Sequence, residues 1–178
     1  MQHFFARRCH LDLALLILRL TVGLLVAGHG AQKLFGWFGG FGLKGTAGWL
    51  HSQGFRPAGI WTALAVLTEV GGGVLFALGL WSPLGALGVA ASMLTAIKLH
   101  WPKVWVTQGG FEYALVNLAV AAAVGFVGPG RFSLDGMYGT ALPQWAFPAG
   151  AVLVILGWLV AVVISRTPAP AGDSQQAA

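Results

Sequence analysis

Five apolar runs of 16 to 23 residues follow one another in this chain, near the roughly 20 that a helix rising about 1.5 Å per residue needs to cross a bilayer, and leave few folds open to it. They cover residues 13–35, 60–80, 84–99, 111–127 and 145–164, the third and fourth being short and borrowing from their flanks. The composition agrees, with 57% hydrophobic and 8% charged residues and a mean hydropathy of +0.77. A water-soluble domain is about 25% charged, so ten Lys/Arg and five Asp/Glu in 178 residues cannot clothe a soluble surface. Lipid must be the solvent. Disorder is excluded by the abundance of apolar side chains, and a disulfide scaffold by a single cysteine, Cys9. The net charge of +5 sits on scattered residues, the pair Arg7 and Arg8 aside, with no basic stripe of the kind that grips nucleic acid.

The expected fold is therefore all-α, a polytopic transmembrane helical bundle. Trp81, Ser82 and Pro83 separate the second and third spans and predict a tight hairpin between antiparallel neighbours. In the stretch 36–59, Phe38, Phe41, Trp49, Leu50 and Phe55 alternate with Lys44, His51, Gln53 and Arg56, which predicts a short helix lying in the membrane interface. Residues 1–11 read as a juxtamembrane segment, 128–143 as a Gly/Pro-rich loop, and 167–178 as a disordered tail. A cleaved leader is not expected, because the first apolar run is long, is interrupted by Arg19 and is followed by no mature polar domain. Arg7, Arg8 and Arg131 fall on the amino-terminal side and Lys44, Arg56, Lys103 and Arg166 on the other, a count that decides nothing; the amino terminus is assigned to the cytoplasm because Arg7 and Arg8 flank the first span closely. Small residues recur at helix-contact spacing as Gly23, Ala27 and Ala31, as Ala65, Gly72 and Gly79, and as Gly88, Ser92 and Ala96, predicting close helix packing.

Ionisable side chains in a membrane are costly and usually face a protein interior or a watery cavity. Alternating helix direction brings His29, Gln32, Lys33, Glu69, Lys98, His100, Glu112 and Asn117 into one half of the membrane. Lys33 falls about 3 Å and His29 about 9 Å below the end of the first span, while Glu69 lies about 13 Å deep from the same side. Arg19 lies about 10 Å deeper still. Two readings follow. In one, a pocket or half-channel open on one side is floored by Arg19 and holds Glu69 among cationic partners, suited to a quinone-like or small anionic ligand or to a proton path. In the other, Arg19, Lys33 and Glu69 are ion pairs that only hold the bundle. No His/carboxylate spacing supports a metal, and there is neither a Cys-x-x-Cys-His haem attachment nor a dithiol.

A set of motifs in order carries a family resemblance: Leu18-Arg19, the run from Gly28 through His29, Gln32 and Lys33 to Gly36, Glu69 before Gly71-Gly72, His100, Gly110-Phe111-Glu112-Tyr113, and Gly128-Pro129-Gly130-Arg131-Phe132-Ser133-Leu134-Asp135. Over about residues 12–136 the chain resembles the DoxX family. The resemblance implies a four-helix integral membrane domain over 12–136, to which this chain adds a fifth, carboxy-terminal span at 145–164. It also implies kinship with a small subunit of a thiosulfate:quinone oxidoreductase or terminal quinol oxidase. The expected function is a subunit or accessory of a quinone-linked redox system in the cell (plasma or inner) membrane. Arg19, His29, Gln32, Lys33 and Glu69 would line a site for a quinone head group or small anionic substrate, with His100 and Glu112 at its mouth. No catalytic residue is assigned, and electrons require a partner subunit or a bound cofactor. The alternatives are a small-molecule carrier or exporter, working as a homo-oligomer, and a scaffold that holds a peripheral enzyme through 36–59.

Overall fold

In a computed structural model the backbone is described for residues 2–165 and the side chains for residues 9–163. The expected tail at 167–178 and Arg166 lie outside the described residues, as do the side chains of Arg7 and Arg8. The elements in order are α1 (Gln2–Phe35), α2 (Gly42–Ser52), α3 (Ala58–Val66), a π-helical turn (Leu67–Gly71), α4 (Gly72–Leu78), α5 (Ser82–His100), α6 (Glu112–Val127), α7 (Leu134–Tyr138) and α8 (Ala146–Ser165). Among the described residues there is no strand.

Among the described residues, four helical segments are long and apolar enough to span a membrane: Cys9–Phe35 of α1, Ala58–Leu78 through α3, the π turn and α4, Ser82–His100, and Ala146–Val163 of α8. The chain is a multi-pass helical bundle. The fourth expected span, α6, has 16 residues and a length of about 24 Å, short of the ~30 Å hydrocarbon core. Residues 2–11 continue α1 as a helix. The loop at 128–143 contains the short helix α7.

Each boundary has a local cause. Gly36, left-handed at φ 75°, ends α1. Pro57, in an extended conformation, precedes α3, where a missing N–H costs nothing. Gly79, left-handed at φ 62°, ends α4. Pro83 then occupies the first turn of α5, so the expected hairpin forms.

The core follows the small residues. A Cβ on Gly23 would stand 2.6 Å from the Ala77 nitrogen and the Gly73 oxygen, and one on Gly72 would stand 2.9 Å from the Gly88 Cα. Backbones therefore touch along α1–α4 and α4–α5, as expected for the Gly23 and Gly88 stripes. Gly79 both ends α4 and is closely packed, though against Arg19 and the loop at 128–143 and not against a neighbouring span: a Cβ there would stand 2.6 Å from the Ser133 Cβ and 2.8 Å from the Arg19 Cζ. Val22, Val26, Phe76, Ala86, Val89, Met93, Ala121, Val124 and Phe147 fill the interior. Leu24, Leu67, Val116 and Leu153 point outward, where acyl chains replace water.

Candidate functional site

Glu69 lies within the π turn of the second span and is 7% exposed. A π turn adds a residue to one helical turn, rotating the residues after it, and such turns, uncommon in general, are frequent at functional sites. Gly71 ends the turn, and the two glycines after it let the neighbouring helices close in, Gly72 towards Gly88 of α5 and Gly73 towards Gly23 and Ala27 of α1. Lys33 Nζ, from the last turn of α1, donates to Glu69 Oε2 at 2.5 Å. The two depths inferred from sequence meet because the lysine stem is flexible. Glu69 Oε1 takes no hydrogen bond among the described residues, and Glu69 lines a cavity.

The pair lies on the wall of a cavity of about 420 Å³. Trp61, Leu64, Ala65 and Thr68 of the second span form one side, Ala91, Ser92, Thr95 and Lys98 of α5 the back, and Leu153, Gly157, Trp158 and Ala161 of α8 the other side, with Trp49, Leu50 and Phe55 above. The hydroxyls of Thr68, Ser92 and Thr95 bond to carbonyls of their own helices, so the walls behave as apolar surface. Lys98 Nζ lies 4.3 Å from the centre of the Phe55 ring, a cation over an aromatic face. A second cavity of about 430 Å³, lined by Gln32, Gly39, Gly40, Phe41 and Thr46, shares Lys33, Trp49 and His100 with the first.

The other expected site residues divide. His100 lines both cavities; its Nδ1 is 2.8 Å from the Gly109 carbonyl. A carbonyl only accepts, so Nδ1 carries the proton and Nε2 of the neutral ring presents a lone pair. Gln32 borders the second cavity and bonds His29 Nδ1 at 3.0 Å. His29 itself lies outside both cavities, with its ring 5.6 Å from that of Tyr113. Glu112 accepts from the Val106 N–H at 2.7 Å, tying the loop after α5 to the start of α6, where a negative charge also suits the helix dipole. It does not line the cavity.

Arg19 departs furthest from expectation. It does not floor the cavity; it is 1% exposed, with Nη1 donating to the Ala77 carbonyl at 3.2 Å and Nη2 to the Phe132 carbonyl at 2.5 Å. Helical side chains lean towards the amino terminus of their helix, so Arg19 reaches away from Lys33 and meets the carboxy-terminal carbonyls of α4, where a cation is favoured. Asp135 of α7 lies within electrostatic reach of it. That carboxylate accepts from the Trp81 and Ser82 N–H groups at 2.9 Å each, from the Ser82 hydroxyl at 2.6 Å and from Thr140 at 2.9 Å, capping α5 from a distant element. Burial alone would raise the Asp135 pKa; the bonds from Ser82, Trp81 and Thr140 outweigh it and hold the carboxyl below its usual range. Asp12 accepts from the Arg131 N–H at 2.9 Å and pins the same loop to α1.

Two clusters thus stand at opposite ends of the bundle: an ion pair beside a cavity, and a locked loop. The DoxX family model matches residues 14–107, more than half of the chain. The chain belongs to the DoxX family. No curated protein and no solved structure matches it. The matched segment of this DoxX protein holds Lys33, Glu69 and His100, whereas α8 lies beyond it. The α8 wall was invisible to motif reasoning. Its one sequence signal is Trp158 inside a run of aliphatic residues, away from the interfacial belt where tryptophan concentrates.

Proposed function

We propose that this DoxX protein serves as a subunit or accessory of a quinone-linked electron-transfer system in the cell membrane. The observation that carries the reading is an apolar cavity among membrane-spanning helices whose polar wall offers both a donor and an acceptor, the Lys33 ammonium and the unbonded Glu69 Oε1. Quinone carbonyls need a donor and quinol hydroxyls need an acceptor, so one pair can hold both forms. An apolar body with a few placed polar groups is the usual make-up of a small-molecule site. A bound quinone would supply two-electron chemistry; the residues here would bind and orient it, with His100 Nε2 as a proton acceptor on the aqueous side. Electrons would come from a partner protein.

The test is titration of the detergent-purified protein with menaquinone and ubiquinone analogues. Saturable binding, weakened about tenfold by Glu69→Gln (roughly 1.4 kcal/mol), is expected. Absence of binding, or binding indifferent to Glu69→Gln, would refute the site.

The meeting of two cavities at Lys33 favours a second reading, a small-molecule carrier. Substrate-dependent tracer flux in proteoliposomes separates the two, because a redox subunit moves none.

A further inference from the structure

Only one of the cavity's walls lies wholly beyond the family-matched segment, and that wall is α8. It packs mainly on α5 and more lightly on α6, while α3 packs on α1 and α2; α3 and α8 flank the cavity with no packing interface of comparable extent between them. The residues on the two lips, Leu64 and Leu153, line the cavity and are nevertheless 45% and 70% exposed. In a multi-pass bundle those lips face acyl chains, so the cavity opens sideways into the bilayer. At its polar wall the Lys33 ammonium gives one of its three N–H donors to Glu69 Oε2 and keeps two for an acceptor or an anion.

We infer that α8 makes this a lateral slot for the tail of a membrane-dissolved, single-tailed amphiphile whose acceptor or anionic head rests at Lys33, with Gly157 setting the width of the slot. The inference rests on the reading that the cavity beside Lys33 and Glu69 takes a ligand, and adds the ligand's class and its route of entry. A water-borne polar solute would have to give up its hydration to enter an apolar slot open to lipid, whereas a tail already dissolved in the bilayer enters without that cost, and close packing along the slot with the polar contact at Lys33 supplies the preference over bulk lipid. Gly157 is placed to control the fit. It lines the cavity, and a Cβ built on it meets nothing within 4 Å, so a larger side chain there fills the slot without disturbing the helices. Gly59, on α3, is equally unobstructed but does not line the cavity, and serves as the control.

The experiment follows tryptophan emission of the full chain in detergent, since Trp49, Trp61 and Trp158 line the cavity. Three probes are used: brominated stearate, a ubiquinone head carrying a decyl chain, and the same head without a tail. Saturable quenching by both tailed probes is expected, with the tail-less head at least tenfold weaker. Gly157→Leu should weaken the tailed probes about tenfold or more, Gly157→Ala less, and Gly59→Leu not at all. Gly157→Ala, the smallest change, keeps the test decisive if the leucine variant does not fold. If stearate binds in this Gly157-dependent way and the decyl quinone does not, the slot stands and the quinone reading falls. If the tail-less head binds as tightly as the decyl form, the slot is overturned while the quinone reading survives. Binding of tailed probes unaffected by both Gly157 substitutions also overturns it.

Discussion

Lys33 Nζ donates to Glu69 Oε2 at 2.5 Å, joining two residues 36 positions apart on antiparallel spans. The lysine side chain is 26% exposed and the glutamate 10%, so the pair is shielded on one side and open to the cavity on the other. Shielding strengthens the attraction but also penalises either charge left alone. Glu69→Leu or Lys33→Met alone should therefore cost about 3 kcal/mol, and the double substitution less than the sum. Unfolding of the four proteins in mixed micelles gives the coupling; strictly additive losses would show that the pair does not stabilise the bundle.

Arg19 is predicted to matter for folding and not for ligands. Its guanidinium serves two carbonyls in different elements, and a lysine ammonium cannot reproduce that fork. Arg19→Lys should lower stability by roughly 2 kcal/mol or more while ligand affinity at Glu69 stays within about twofold. A selective loss of affinity with stability intact would return Arg19 to the cavity.

Asp135 makes stability pH-dependent in acid. Its folded pKa lies below the unfolded value of about 3.9, so its contribution is fully present above about pH 4 and is lost as pH falls through the lower, folded value. Thermal denaturation in detergent from pH 7 down to pH 2 should show this decline in the wild type. In Asp135→Asn the curve should start lower, because an amide cannot accept all four bonds, and should flatten in that acid range. An unaltered acid limb in the variant would assign the decline to other carboxylates.

The glycines make opposite predictions at neighbouring turns of one helix. Gly23→Ala forces a Cβ against the Ala77 and Gly73 backbones and should destabilise by about 1–3 kcal/mol. Gly28→Ala meets nothing within 4 Å and should be neutral or gain up to about 1 kcal/mol from helix propensity. Midpoints of thermal unfolding decide between them, and equal effects would contradict the α1–α4 contact.

Much of the architecture was legible because a bilayer imposes it. Apolar runs, breakers such as Pro83, and the alternation of helix direction are enough to place Lys33, Glu69 and His100 in one half of the membrane, since depth depends only on rise per residue. Depth carries no information about azimuth or side-chain direction. Rise per residue sets the level of Arg19 along α1, yet only the packed structure shows it leaning towards the α4 carbonyls and the loop at Phe132. The π turn at Glu69, the diversion of Glu112 to the Val106 N–H, and the α8 wall were likewise decided by tertiary structure. Each depends on which helix faces share an interface, and in lipid those faces are chosen by close packing and polar partners; hydrophobicity, uniform around these helices, does not mark them.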